Sequence, residues 1–128
     1  MNHYLNAIAG LPVTSSPYSS GVVAEGRFLF VSGQGPYDPE LGKFRRGPVA
    51  EQTRLTLECL RRVILAAGGR VEDIVSCRVY LQQLTESSFA EMNAAYAEFF
   101  PGDRPVRTTI GCQLLNIDVE IDCVVRID

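Results

Sequence analysis

The stretch Arg107-Thr108-Thr109-Ile110-Gly111-Cys112-Gln113-Leu114, followed after a short connection by Val119-Glu120-Ile121-Asp122-Cys123-Val124-Val125-Arg126-Ile127, decides the fold. Both halves alternate with a period of two. In the first, Thr108, Ile110, Cys112 and Leu114 alternate with Arg107, Thr109, Gly111 and Gln113. In the second, Val119, Ile121, Cys123, Val125 and Ile127 alternate with Glu120, Asp122, Val124 and Arg126. Alternation of this kind marks strands with one face on a core and the other polar. This reading puts Arg107, Thr109, Glu120 and Asp122 together on the face away from the core. A hairpin between the two strands, turning near residues 115–118, pairs Glu120 with about position 112 and leaves Arg107 several residues along.

Upstream, the chain divides by period and turn chemistry. Residues 1–20 read as loop, with Pro12, Pro17 and a serine-rich stretch from Ser15 to Ser20. Residues 21–24 and 27–32 read as short strands about the turn signal Glu25-Gly26. Residues 33–47 are rich in Gly and Pro and read as an ordered surface loop, with its own turn chemistry at Asp38-Pro39-Glu40-Leu41-Gly42. From Pro48 to about Ala67 the period turns helical: Val49, Thr53, Leu57, Leu60, Ile64 and Ala67 recur at three- and four-residue steps, and Gly68-Gly69 supplies a stop. Residues 74–81 predict a strand with Cys77, Val79 and Leu81 on one face. A second helix is expected from about Phe89 to Phe100, with Ser88 and Glu91 at capping-box spacing and a stripe of Phe89, Met92, Tyr96 and Phe99. The order β-β-α-β-α-β-β predicts a single α+β domain over residues 1–128, a mixed sheet with both helices on one face. The polar sheet face, left without a third layer, then calls for a partner.

Composition removes several classes. The chain has 128 residues with 12 Lys plus Arg against 15 Asp plus Glu, a net charge of −3. That balance offers no broad basic footprint, so nucleic acid is not an expected partner. No apolar run approaches the roughly 18–20 residues of a membrane span. Residues 1–13 lack a basic segment followed by an apolar one, so no secretory leader is expected and the predicted location is cytoplasmic. The cysteines at 59, 77, 112 and 123 have no metal-ligand spacing and read as buried, reduced core thiols. His3 is the only histidine, and it falls in a terminus expected to fray. The chemistry is therefore expected to run without metal, reactive thiol or imidazole, and no cofactor is predicted.

Arg107 and Glu120 are the sharpest candidate pair. An arginine there can hold a carboxylate bidentately, and a glutamate can orient or deprotonate a water. By pattern alone they read more readily as solvated charges of a sheet edge; direct joining needs sheet curvature, a subunit interface or a spanning ligand. The run Val31-Ser32-Gly33-Gln34-Gly35-Pro36 follows a strand but is no phosphate fingerprint. It reads first as a plain turn, and secondarily as backbone amides open to a small anion. Tyr18 reads as a loop anchor, and Asn93, one position off the helix stripe, as a solvated residue.

Taken together, five motifs resemble the RidA (YjgF) family, also labelled endoribonuclease L-PSP. They are Pro17-Tyr18-Ser19-Ser20-Gly21-Val22, Phe28-Leu29-Phe30-Val31-Ser32-Gly33-Gln34, Met92-Asn93-Ala94-Ala95-Tyr96 with Phe99-Phe100, Arg104-Pro105-Val106-Arg107-Thr108-Thr109, and Val119-Glu120-Ile121-Asp122. They occur in family order over nearly the whole chain after about residue 12. The resemblance implies a chorismate-mutase-like fold forming homotrimers with ligand sites between subunits. It also implies cofactor-free hydrolysis of reactive 2-enamino and 2-imino acids to 2-keto acids and ammonia. By motif position Arg107 is the carboxylate-binding arginine and Glu120 the acidic residue of the attacking water; Tyr18, Ser32, Gly33 and Asn93 line the pocket.

The chain departs from the family pattern twice. Thr109 stands where many members have cysteine, so only a pocket-wall role carries over. The connection Leu114-Leu115-Asn116-Ile117 is two residues shorter than in many members and lacks their proline. A two-residue deletion preserves the facing of Glu120, whereas one residue would flip it. The resulting expectation is a trimeric enamine/imine deaminase; a variant of it is a pathway-specific enzyme acting on an aminomuconate-type enamine. Its rivals are a non-catalytic small-molecule binder or stress-responsive interaction protein, and the ribonuclease or translation inhibitor of the older label.

Overall fold

The computed structural model describes residues 1–13 and 15–128. In chain order the elements are β1 (His3–Leu5), β2 (Gly21–Val23), β3 (Phe28–Gln34), β4 (Tyr37–Asp38), β5 (Lys43–Phe44), α1 (Val49–Ala66), β6 (Ile74–Leu81), α2 (Glu86–Phe99), β7 (Val106–Gly111) and β8 (Val119–Arg126), with a single 3-10 turn at Val71–Asp73 leading into β6. The main sheet has the order β3-β8-β6-β7, with β6 and β7 parallel and the other neighbours antiparallel. Both helices cover one face. Leu57, Leu60 and Ile64 of α1 and Met92 and Tyr96 of α2 join Val31, Cys77, Val79, Ile121 and Val125 of the sheet in one core cluster. The α+β architecture predicted from periodicity is the one observed.

Helix α1 forms where the stripe predicts it. Its buried threonines are satisfied internally: Thr53 Oγ1 donates to the Val49 carbonyl and Thr56 Oγ1 to the Gln52 carbonyl, each at 2.7 Å. Gly68, at φ +80°, closes the helix with paired bonds from the Gly68 and Gly69 amides to the Leu65 and Ile64 carbonyls at 3.0 and 2.9 Å. Helix α2 begins one turn earlier than its stripe implied. Thr85, not Ser88, is the N-cap: Thr85 Oγ1 accepts from the Ser88 amide and Ser88 Oγ from the Thr85 amide, a capping box in which serine takes the place of the usual acid.

The pairing of strands differs from the expectation in four places. β1 occupies part of the presumed N-terminal loop and pairs with β2, placing His3 opposite Val23 rather than in a frayed end. β2 therefore belongs to this small sheet while β3 joins the main one beside β8, so the Glu25-Gly26 turn links two sheets instead of closing a hairpin. Part of the 33–47 loop is structured: Ser32 and Gly33 lie within β3, which bulges between Val31 and Gln34, and β4 and β5 pair around the Asp38 turn. Asp38 Oδ1 accepts from the Glu40 amide there at 2.9 Å.

The fourth difference decides the site. β7 and β8 form no hairpin, because β6 lies between them. Residues 112–118 carry the chain across the end of β6. They are held by Gln82 Oε1, which accepts from the Leu114 amide, and by the buried Gln52 of α1. Gln52 Nε2 donates to Asp118 Oδ2 at 2.8 Å and to the Gly47 carbonyl at 3.0 Å, while its Oε1 accepts from the Asp118 amide at 3.0 Å.

Candidate functional site

Register assigns each side chain to a face. Cys77 and Val79 of β6 lie fully in the core, and their partners across the parallel pair are Arg107 and Thr109. Arg107 and Thr109 therefore point to the helix side, and Thr108 and Ile110 outward, the reverse of the expected facing. On β8, Ile121 and Cys123 oppose Val79 and Cys77, so Glu120 and Asp122 point outward, opposite Tyr80 and Arg78. Within the chain Arg107 and Glu120 stand on opposite faces of the sheet with β6 between their strands. The joint polar face read from alternation does not exist.

Around Arg107 the structure gathers three of the predicted residues. Arg107 Nη1 donates to Asn93 Oδ1 of α2 at 2.8 Å, and the guanidinium carbon lies 5.3 Å from the centre of the Tyr18 ring. Tyr96 and Phe89, at 5.0 and 5.5 Å, complete an aromatic surround that sequence reading had placed only on the core stripe. Met92 Sδ lies 3.9 Å from Nη1. The helical period was the missed signal: Phe89, Asn93 and Tyr96 are neighbours on successive turns of one helix face. Tyr18 is brought in by its loop, where the Ser19 amide donates to the Pro105 carbonyl at 3.1 Å and Ser19 Oγ to the Arg104 carbonyl at 2.5 Å.

This cation is incompletely satisfied. Among the described residues Arg107 has no carboxylate partner, and its Nε and the Thr109 hydroxyl are buried without a hydrogen bond. Burial lowers the Arg107 pKa from its ordinary value, opposed by the Tyr96 and Tyr18 phenols and the Cys77 thiol. Burial likewise pushes the Cys77 thiol up to about 12 and Tyr96 well above the usual tyrosine range. Cys123 moves up for the same reason. Cys77 and Cys123 are thus protonated core groups, not nucleophiles; Cys59 is buried too, and Cys112 is half-buried. A desolvated guanidinium held by a neutral amide and aromatic faces suits an incoming anion, because no internal carboxylate has to be displaced.

Glu120 forms a second, separate group. It lies over Gly33 of the β3 bulge so closely that a Cβ at position 33 would overlap its carboxylate oxygen and come within 2.9 Å of Cδ. Ser32 lies beside it in the exposed bulge. Among the described residues the Glu120 carboxylate has no hydrogen bond or ion pair, whereas Asp122 on the same face accepts from Arg78 Nε at 2.9 Å and from the Tyr80 hydroxyl at 3.0 Å. The unengaged carboxylate is the one able to handle a water or a ligand proton. The predicted residues therefore fall into an arginine half, with Tyr18, Asn93, Arg107 and Thr109, and a glutamate half, with Ser32, Gly33 and Glu120. Among the described residues no group of three or more His, Cys, Asp or Glu is placed to hold a metal ion, and no helix is long and apolar enough to cross a membrane.

The family model for endoribonuclease L-PSP matches residues 9–127. A RutC family protein of Pyrococcus horikoshii is 38% identical over 111 residues, covering 87% of this chain and 86% of that protein. A conserved Rid family protein from Yersinia pestis superimposes with a TM-score of 0.86 at 24% identity over 98% of each chain, a likeness of fold. Escherichia coli TdcF with bound serine gives a TM-score of 0.71 at 28% identity over 98% of this chain and all of that one. The sheet and helices are those of its chorismate-mutase-like neighbours. The chain belongs to the endoribonuclease L-PSP family, known also as the YjgF/RidA family.

Proposed function

We propose that this protein is a cofactor-independent deaminase that hydrolyses 2-imino acids, and the 2-enamino acids that tautomerise to them, to 2-keto acids and ammonia. The observation that carries this reading is Arg107: a part-buried cation with Asn93 at 2.8 Å, an aromatic surround and no internal carboxylate. A 2-imino acid supplies the missing anion. Support also comes from a family relative that holds serine, an α-amino acid of similar size and charge.

One substrate cannot touch Arg107 and Glu120 of the same subunit, because the sheet stands between them. The working site is therefore an interface between copies, in a homotrimer, where the arginine half of one subunit meets the glutamate half of its neighbour. Arg107 holds the carboxylate, and Thr109 forms wall beside it. Glu120 takes a proton from water as the oxygen bonds to the C=N carbon. It gives that proton to nitrogen to complete the tetrahedral carbinolamine, then carries the hydroxyl proton to the same nitrogen as the C–N bond breaks, so that ammonia leaves and the oxygen closes to the keto carbonyl. No electrons are exchanged, so the chemistry asks only for a cation and a proton carrier. A small cytoplasmic protein of this kind would remove reactive intermediates before they meet other targets.

The test pairs two variants. Arg107→Ala should abolish calorimetric binding of 2-keto-acid products, and Glu120→Gln should keep that binding while turnover of freshly generated imino acid falls ~10²–10⁴-fold. Unchanged turnover in Glu120→Gln refutes the catalytic role, and normal keto-acid binding in Arg107→Ala refutes the clamp. RNA cleavage that survives Arg107→Ala would favour the endoribonuclease activity of the family's name instead.

A further inference from the structure

A cleft of about 340 Å³ lies at the β3 edge of the sheet, between the β4–β5 hairpin and helix α1, away from Arg107. Its floor is the backbone of residues 33–35, and its walls include Tyr37, Pro39, Phe44 and Val63. Tyr37 and Phe44 pack edge to face at 5.4 Å and remain 39% and 53% exposed, so an aromatic pair is presented to the cleft rather than consumed by the core. Position 35 is tight: a Cβ there would stand 3.1 Å from Phe44 Cε1 and 3.0 Å from Ile117 Cδ1, so a larger residue would push the Phe44 ring aside. The buried Cys59 thiol donates to the Tyr37 carbonyl at 3.6 Å and packs the base.

Arg62, one turn along α1 from Cys59, is the charged group of this cleft. Its guanidinium touches only a soft partner, Nη1 donating to Cys59 Sγ at 3.7 Å. The neighbouring arginines are all matched with carboxylates: Arg45 with Glu51 at 2.6 Å, Arg46 with Asp118 at 3.5 Å, Arg54 with Glu98 at 3.6 Å and Arg61 with Glu58 at 3.1 Å. Among the described residues Arg62 has no such partner. An apolar, aromatic-walled concavity with one unmatched cation is the usual form of a site for a small amphipathic anion. We infer that this cleft binds a free aromatic or branched-chain monocarboxylate, its apolar end between Tyr37 and Phe44 and its carboxylate on Arg62, at a site distinct from Arg107. The floor residue Gly33 is the one over which Glu120 lies, so an occupant would rest against the back of the glutamate half-site. This inference does not depend on the deaminase reading.

The experiment is an amide-shift titration of the full-length protein with 3-phenylpropanoate, with 3-phenylpropanamide and propanoate as probes lacking the charge or the ring. Saturable shifts are expected at Gly35, Tyr37 and Phe44, with each truncated probe at least ~10-fold weaker, as loss of a charge-assisted pair or of the apolar burial implies. Arg62→Gln, an exposed helix substitution, should weaken binding of the carboxylate by a similar factor without changing the amide probe. Phe44→Ser should weaken both ring-bearing probes, and Arg107→Ala should leave the cleft shifts intact. The inference is overturned if cleft amides do not saturate, if the amide probe binds as well as the acid, or if Arg62→Gln leaves carboxylate binding unchanged. Loss of the shifts in Arg107→Ala also overturns it, since the cleft would then be part of the arginine site.

Discussion

Substituting Gly33 by alanine separates the geometry of Glu120 from the stability of the fold. The added Cβ would overlap the carboxylate, standing 2.9 Å from Cδ and 3.1 Å from Cγ. Ordinary van der Waals contact begins near 3.4 Å, so the carboxylate group has to withdraw by roughly 1 Å. Glu120 is half-buried and otherwise unengaged, so the side chain can move without breaking a bond of the fold. The β3 backbone at Gly33 does not lie in the left-handed region, and alanine there narrows the unfolded ensemble slightly. Stability should therefore stay within about 1 kcal/mol of the parent, or roughly 3–6 °C in Tm. A displacement of about 1 Å at a catalytic group costs on the order of 10²-fold in rate, about 2.7 kcal/mol. Turnover is read by reducing the keto acid formed from an imino acid generated in place, product binding by calorimetry, and Tm by a thermal scan. The expected Gly33→Ala protein is folded, binds keto acid through Arg107 and turns over ~10²-fold more slowly. Turnover at the parental rate would refute the placement of Glu120 in the reaction; a Tm loss beyond about 10 °C would show instead that Gly33 is required by the sheet.

Three further outcomes are expected. Light scattering coupled to size exclusion should give about three times 14.1 kDa, and a clean monomer at micromolar concentration would remove the interfacial site. Gln52→Ala empties a buried position and removes the side chain that holds the half-buried Asp118 amide and the Gly47 carbonyl, and should cost about 1–3 kcal/mol, visible as a Tm drop of roughly 3–18 °C; a drop under 1 °C would contradict the staple of residues 112–118. Alkaline stability follows from Cys77, whose burial raises its pKa from 9.0 to about 12. Above pH 9 the unfolded chain loses a proton that the folded chain keeps, so stability should fall as pH rises toward 12, by up to about 1.4 kcal/mol per unit from this thiol. Cys77→Ala, compared in the same denaturant series, should flatten that slope, and an equally steep variant would refute the assignment.

Local information carries far in this chain. The stripe from Val49 to Ile64 and the glycines at 68 and 69 settle α1 because a helix closes its bonds within four residues. The Val119–Ile121–Cys123–Val125 row settles which side of β8 is core for a similar reason, every second residue being apolar. The motif around Tyr18, Asn93, Arg107 and Glu120 was legible as a set, and the structure places Tyr18, Asn93 and Arg107 together.

Facing within β7 lay beyond the sequence, for a reason specific to an edge strand. Alternation shows that two faces exist, and apolarity chooses between them only where one face is fully covered. In β7 the helix-facing row is Arg107, Thr109 and Gly111, part-covered by α2, while Ile110 points outward and is 41% exposed. Hydrophobicity thus points the wrong way there. Strand order was equally out of reach, because residues 112–118 are long enough either to turn back or to cross β6. The choice rests on contacts with Gln52 and Gln82, 66 and 32 residues away in sequence. Local pattern determined the two helices and the long strands, and the resemblance nominated the candidate site residues. Only the tertiary pairing of β6 between β7 and β8 decided that Arg107 and Glu120 occupy opposite faces, since which strands become neighbours depends on long-range contacts that no local period encodes.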